Sequence, residues 1–469
     1  MTASALVALP LVFAVIVLLP IARRRSRAVA VAAGVFVAGA ALAAFAVPVR
    51  SGVHAAWAPT LGLTYAVDVD ALSAMFIAVV GIVFSVGAAS SERIGHGRAY
   101  FALLCVALAT ITGTLVARDL GLFFVFWEAM FACLALLVAH WGGDGRTDAS
   151  LRLVLTALVG SALYLVVIVS LAAVRGSLDL DALRARPLPA TGQLGPAVLL
   201  SAAFLLTMPL FPLHAWLVRA LVAAPRAVGI VLAAAVPSVA LYALVRFCVG
   251  IFPQGIASAA PAFVALAAVG TVYGALLAAR QDDVRRLVAF ASLSSIDLAA
   301  IGVFAGTDLG IRGALLATIS RALIIASLLV LAAQLARRAG SPAIARAGGL
   351  AASSPTLAAV ATFAVLAAVG IPGTSAFAAD YLVLAGSAER FPIATGVAAF
   401  VLVASAVWGA RFLRRALGGP PLARGPDLSW RERALVLPLL LLVVAIGAAP
   451  RALTDRIPAD AIPTLESPR

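Results

Sequence analysis

Fourteen runs of predominantly apolar residues follow one another along this chain, separated by short turns that carry most of its arginines. They lie near 4–21, 29–48, 70–89, 100–116, 119–140, 153–174, 196–216, 227–250, 261–279, 287–305, 311–336, 355–376, 393–416 and 434–450. At about 1.5 Å per residue, such a run makes a helix about as long as a bilayer's hydrocarbon core is thick. Ordinary globular domains are about 45–50% apolar and about 25% charged. Here 64% of residues are hydrophobic and 12% charged, more apolar surface than a water-soluble core of 469 residues can hide. The expected fold is all-α and polytopic, with about fourteen transmembrane helices and both ends on one side of a lipid bilayer. No connecting loop is long enough for a soluble domain, so 1–469 reads as a single membrane domain.

The net charge of +14 comes from 34 arginines against 20 acids, with no lysine at all. In a soluble protein so basic a balance would suggest nucleic acid. Here the arginines fall in turns between spans, which is an orientation signal, and no nucleic-acid partner is expected. Arg23–Arg25, Arg27, Arg93, Arg98, Arg146, Arg152, Arg219, Arg226, Arg280, Arg285, Arg286, Arg337, Arg338, Arg346, Arg414 and Arg415 fall on one side; Arg175, Arg184, Arg186 and Arg312 oppose them. The positive-inside rule then puts both termini outside the cytoplasm. The first run lacks preceding basic residues and is followed by arginines, so it is expected to be a retained span. Cys105, Cys133 and Cys248 lie inside apolar runs without metal-type spacing and read as small core residues. The missing lysine and asparagine, beside abundant alanine and arginine, also match codon drift in a GC-rich genome.

Within LGLFFVFWEAMFACLALLVAH stands one glutamate, Glu128. A carboxyl at bilayer depth is costly and reads as functional by default, with a partner to be found. Two runs carry internal breakers: TMPLFPLHAWL, with Pro209 and Pro212, and AAVGIPGTSAF, with Pro372 between Gly370 and Gly373. Broken helices at membrane depth survive only when packed in protein or lining a wet cavity. These are the seventh and twelfth runs, five apart, as paired five-helix repeats of a transporter require, although proline also kinks ordinary spans.

At these motifs the chain resembles the antiporter-like membrane subunits of respiratory complex I, most closely the M-type, the counterpart of mitochondrial subunit 4. The similarity runs collinearly from about Trp57 to Gly386. WAPTLGLTYAVDVDALS (57–73) is similar to the family's aromatic-rich entry and Asp-Gly-Leu-Ser step, with Ala71 in place of glycine. ARDLGLFFVFWEAMFACLALLVAHWGG (117–143) resembles its Phe-Trp-Glu helix, and MPLFPLHAWL (208–217) its first break. DDVRRLVAFASLSS (282–295) and GIPGTSAFAADYLVLAGS (370–387) resemble its Asp-x-Lys-Arg and second-break segments. The resemblance implies inverted five-helix repeats with two discontinuous helices: N-terminal helices over 1–95, repeats over 100–251 and 261–416, and a C-terminal helix and tail over 417–469.

In that family a mid-membrane glutamate pairs with a lysine, and further lysines and a histidine carry protons to a lysine or glutamate in the second broken helix. Glu128 matches the glutamate and Asp380 the acid. The partner lysine falls at Ser238, preceded by Pro237; the lysine before the first break falls at Thr207. The histidine after the Ser-Ser step falls at Ser295, the lysine of Asp-x-Lys at Arg285, and the next span's histidine at Arg321. Burial can make a lysine release its proton, but arginine holds its own above a pKa of about 12. Arg285 and Arg321 are therefore fixed charges, while the serines and threonine can carry a hydroxyl–water wire.

Asp297 and Arg321 are ionisable groups at similar depth on successive spans, and the expectation is that they pair. The alternative is a rewired proton path with Asp297 as carrier. Glu128 reads as a gate or coupling residue at the boundary with the next subunit, or as a hydrogen-bonded carboxyl kept as part of the fold. His214 reads as a titrating group or as a satisfied core histidine. No phosphate loop, iron–sulfur cysteine cluster or nucleophile–base pair is visible.

The leading expectation is therefore a non-catalytic membrane-arm subunit of a bacterial plasma-membrane NADH–quinone oxidoreductase, coupling quinone reduction to proton export. NADH, flavin, iron–sulfur clusters and quinone belong to partner subunits, and the other membrane subunits of such an assembly are the expected partners. The alternatives are a subunit of a multi-subunit cation/proton antiporter, membrane hydrogenase or inorganic-carbon transporter, and a non-translocating scaffold.

Overall fold

The computed structural model describes residues 2–20, 24–47, 52–91, 97–419, 426–457 and 464–465; Arg23 and Arg93 of the orientation argument lie outside them. The helices run in chain order α1 (Ala3–Leu18), α2 (Ser26–Ala46), α3 (Ala71–Ser90), α4 (Arg98–Val116), α5 (Leu120–Trp141), α6 (Arg146–Arg175), α7 (Leu180–Ala185), α8 (Ala190–Thr207), α9 (Ala215–Ala223) and α10 (Arg226–Ile230). They continue as α11 (Val236–Ala243), α12 (Pro253–Arg280), α13 (Val284–Ala305), α14 (Asp308–Ala339), α15 (Leu350–Ser353), α16 (Pro355–Ala368), α17 (Ser375–Ser387), α18 (Pro392–Leu417), α19 (Trp430–Ala448) and α20 (Arg451–Thr454). Each of the fourteen apolar runs contains helix, and among the described residues eleven helices are long and apolar enough to cross a membrane.

The chain forms two compact units: residues 1–208, 223–260 and 456–469 make the first, and 209–222 and 261–455 the second. The first holds a feature that helical periodicity did not announce. Strands β1 (Val53–Ala58) and β2 (Leu63–Val67) pair antiparallel, Val53 opposite Val67, so the aromatic-rich entry is a β-hairpin in an otherwise helical chain. Residues Arg226–Val249 form one continuous helical rod, buried along its length, in which α10 and α11 alternate with π-helical turns at Val231–Ala235 and Leu244–Val249. Pro237 sits just after the first wide turn. The i→i+5 spacing makes room there for a proline ring that would collide with a regular helix.

The two units use one local plan. Asp119 caps α5 by accepting the Leu122 N–H at 3.0 Å, and the segment before α5 pairs with the one after α6, through Leu120 N–H to Leu178 O at 2.9 Å and Leu180 N–H to Arg118 O at 2.8 Å. Asp283 caps α13 by accepting the Arg286 N–H at 3.0 Å. Its flank pairs with the segment after α14, through Val284 N–H to Pro342 O at 3.2 Å and Ile344 N–H to Asp282 O at 2.8 Å. The capped helices are 22 residues long in both units, and their successors 30 and 32. A carboxylate at each N-cap satisfies donors that the first turn leaves open.

Both broken helices stop where the sequence places the breakers. α8 ends at Thr207, before Pro209 and Pro212, and α9 begins at Ala215. α16 ends at Ala368; Gly370 then takes a left-handed φ of 77°, and Thr374 caps α17. Without a Cβ, Gly370 adopts that φ freely, and Pro372 supplies no N–H to continue the ladder.

Candidate functional site

In the first unit, Glu128 stands half-buried on α5 and accepts a hydrogen bond from the Ser161 hydroxyl of α6. Ser161 has one hydrogen, for which the Ala157 carbonyl of its own helix also competes at 2.8 Å. Ser238, where the resemblance puts the lysine, is buried and donates to the Ala234 carbonyl at 2.6 Å. The structure thus brings Glu128 to Ser161, a residue that nothing in its sequence context singles out.

A cluster of charges at the start of α3 also escaped sequence reasoning. Arg246, 1% exposed, donates through Nη2 to both Asp70 carboxylate oxygens at 2.8 and 2.6 Å. Its Nε donates to the Tyr242 hydroxyl at 3.1 Å, and Tyr242 donates to Leu115 O at 2.8 Å. Arg118 reaches Asp70 at 3.1 Å and Asp68 at 3.3 Å. A lone arginine near the end of VLAAAVPSVALYALVRF was the available signal. Its partner, 176 residues away, is the aspartate of the Asp-Gly-Leu-Ser-like step, and nothing in the sequence tied the two together.

In the second unit, a cavity of about 40 Å³ is lined by Thr271, Ser294, Ser295, Ser320, Arg321, Asp380, Ser405 and Trp408, among others. That volume has room for about three waters at 10–15 Å³ each. Ser320 and Ser375 share a hydrogen bond at 2.7 Å, and Ser294 donates to Thr271 O at 2.9 Å. Ser295 donates to Ala291 O at 3.2 Å. Asp380 lies against Gly370, where a Cβ would stand 3.1 Å from its Oδ2. Four of the expected residues are placed by this unit in ways the sequence did not distinguish: Ser295, Arg321 and Asp380 share the cavity, and Arg285, in the first turn of α13, donates to Val222 O at 3.0 Å instead.

The expected Asp297–Arg321 pair does not form. Asp297 accepts the Phe211 N–H at 3.4 Å, and its second oxygen has no hydrogen-bond partner. Arg321 donates to the Ser292 hydroxyl at 3.0 Å. Similar depth on neighbouring helices does not make a pair, because the two side chains leave α13 and α14 toward different neighbours. His214 is 9% exposed, with its ring 6.1 Å from Phe211 and 5.2 Å from Tyr273, and its Nδ1 unpartnered. Among the described residues no three metal-ligating side chains gather.

Outside the spans, Asp427 accepts N–H groups of Thr356 at 2.8 Å, Leu357 at 3.0 Å and Leu428 at 2.7 Å. Burial pushes its carboxyl up, but these hydrogen bonds outweigh it and hold the group at about 2. Asp282, held by Arg415 and Arg411, also sits below the ordinary carboxylate range.

Membrane-length helices, two of them broken, with carboxyls and hydroxyls at depth define a transporter-like membrane protein. The family model of the NADH:quinone oxidoreductase/Mrp antiporter transmembrane region matches residues 117–406, and the chain belongs to that family. It is 32% identical to NADH-quinone oxidoreductase subunit M of Pseudomonas aeruginosa over 419 residues, 85% of this chain and 82% of that protein. A chain of respiratory complex I from Thermus thermophilus has the same fold, with a TM-score of 0.89 and 31% identity, covering 98% of this chain and 99% of the other. A chain of the Mrp complex from Dietzia shares the fold at a TM-score of 0.89 and 20% identity, over 99% and 98% of the two chains.

Proposed function

We propose that this chain is a membrane-arm subunit of an NADH–quinone oxidoreductase, moving protons as quinone is reduced elsewhere in the assembly. The observation that carries this reading is the end-to-end likeness to a chain of the Thermus complex I at 31% identity. Glu128, bonded to Ser161, is the coupling group of the first repeat, and Asp380, beside the hydroxyl-lined cavity, the acid of the second. Arg285 and Arg321 supply fixed charge, since arginine does not titrate; Ser238 and Ser295 supply hydroxyls. The repeats are 100–251 and 261–416. NADH, flavin, iron–sulfur clusters and quinone are bound by partner subunits, and the assembly sits in a bacterial plasma membrane with both termini of this chain outside the cytoplasm.

The loss of every titratable amine favours a second reading, a subunit that completes the assembly without conducting. One experiment separates the two. The complex is purified through a tag on this chain and reconstituted in vesicles, and protons moved per NADH are measured for wild type and Glu128→Gln. Translocation predicts co-purifying NADH–quinone activity and a lower proton ratio in the variant. An unchanged ratio in an intact complex favours the scaffold, and absence of NADH–quinone activity sinks the assignment.

A further inference from the structure

Asp297 is the most deeply enclosed acid of the second unit, with no exposed surface. Its Oδ1 takes the Phe211 N–H, an amide freed from helical pairing by the break between α8 and α9. Its Oδ2 has no partner and faces Gly270 of α12, where a Cβ would come within 2.2 Å of it. Any larger residue at 270 would displace the carboxyl. His214, on the same unwound segment, also leaves Nδ1 buried without a partner, and its ring stacks on that of Phe211 with 18° between the planes. Two buried polar groups, each with one unsatisfied atom, thus meet the same phenylalanine. Such atoms are rare in folded proteins and call for an explanation in bound water, ions or chemistry.

We propose that Asp297 and the unwound segment Pro209–His214 form a proton-binding site at the first broken helix, with His214 as the group that exchanges protons with the carboxyl. The step balances simply. An N–H bond of the imidazolium breaks and an O–H bond forms on the carboxylate, directly or through water, leaving neutral imidazole and neutral carboxyl.

The surroundings are nearly free of competing charge. The break segment presents His214, and α12 presents Tyr273, whose ring lies 4.9 Å from Phe211. On α13 itself Ser294 is bonded to Thr271 O, α14 turns Arg321 to Ser292, and Asp380 of α17 lines the cavity described above.

The inference rests on the proton-moving reading and is tested in the same vesicles. Asp297→Asn keeps the shape and an acceptor for the Phe211 N–H but cannot bind a proton. It is expected to lower protons moved per NADH in a complex that still assembles. In the wild-type complex, a hydrophobic carbodiimide, which attacks protonated carboxyls, is expected to modify Asp297, as read by peptide mass spectrometry. The labelling should fade in alkaline buffer, and His214→Gln should shift the pH at which it fades. No labelling of Asp297 at any pH, or an unchanged proton ratio in an assembled Asp297→Asn complex, overturns the site. Sodium protection against labelling would replace the proton by a metal cation and also overturns it. If Glu128→Gln lowers the ratio and Asp297→Asn does not, only this inference fails. If neither does, the proton-moving reading fails with it.

Discussion

Asp70 holds two arginines at once, and Arg246 is almost wholly enclosed. Removing one member of such a pair leaves the other charge buried without compensation, which costs about 3–5 kcal/mol, whereas replacing both with apolar groups is often neutral. Asp70→Asn is therefore expected to lower thermal stability in detergent strongly. The double variant Asp70→Leu, Arg246→Met should fall nearer the wild type than either single change. Full additivity of the single effects would contradict the coupling. The serines show what one-dimensional reading reaches. Nine residues beyond the caps stand Glu128 and Ser292, bonded respectively by Ser161 and by Arg321 from the following helices. The glutamate was legible because a charge in an apolar run is conspicuous. Its partner was not, since a serine in a membrane helix is ordinary until the neighbouring helix is known.

At the scale of elements, the two breaks were legible because prolines cluster there, Pro209 with Pro212, or sit among glycines, Pro372 between Gly370 and Gly373, whereas lone prolines such as Pro196, Pro261 and Pro438 stay inside helices. The hairpin was not, because its short strands pair through backbone groups that leave little trace in composition. Caps lie between these cases. Asp427 gathers N–H groups at the start of α16, and its carboxyl lies below its ordinary 3.8, at about 2. Its stabilising effect is complete above 3.8 and is lost as pH falls from there through about 2. Hydrogen exchange at Thr356 and Leu357 should therefore lose protection over that interval, relative to the intrinsic rate. Asp427→Asn should reproduce the loss at neutral pH. Protection that ignores both acid and the substitution would show that the cap does not hold this helix end.

The whole chain was legible first in its apolar runs, because bilayer thickness fixes how long each must be. Its division into two units was less so, since residues 209–222 group with the later half, a matter of packing rather than sequence order. The proposed orientation rests on the arginines and can be checked directly. The native cysteines are buried, so introduced ones dominate labelling. Cysteine at Gly176 should react with an impermeant maleimide added outside intact cells, and cysteine at Gly145 or Gly340 only after the membrane is opened. The reverse pattern would invert the topology.

Asp119 gives this architecture a mechanical property. One of its oxygens takes the Thr64 N–H of the hairpin at 3.1 Å and the other the Leu122 N–H of α5 at 3.0 Å. Nine residues along from the cap, about 13.5 Å at 1.5 Å per residue, stands Glu128. The hairpin is thus a grip on a stiff rod that carries the half-buried Glu128 further along. A binder clamped on that grip would set the depth of the acid without touching it.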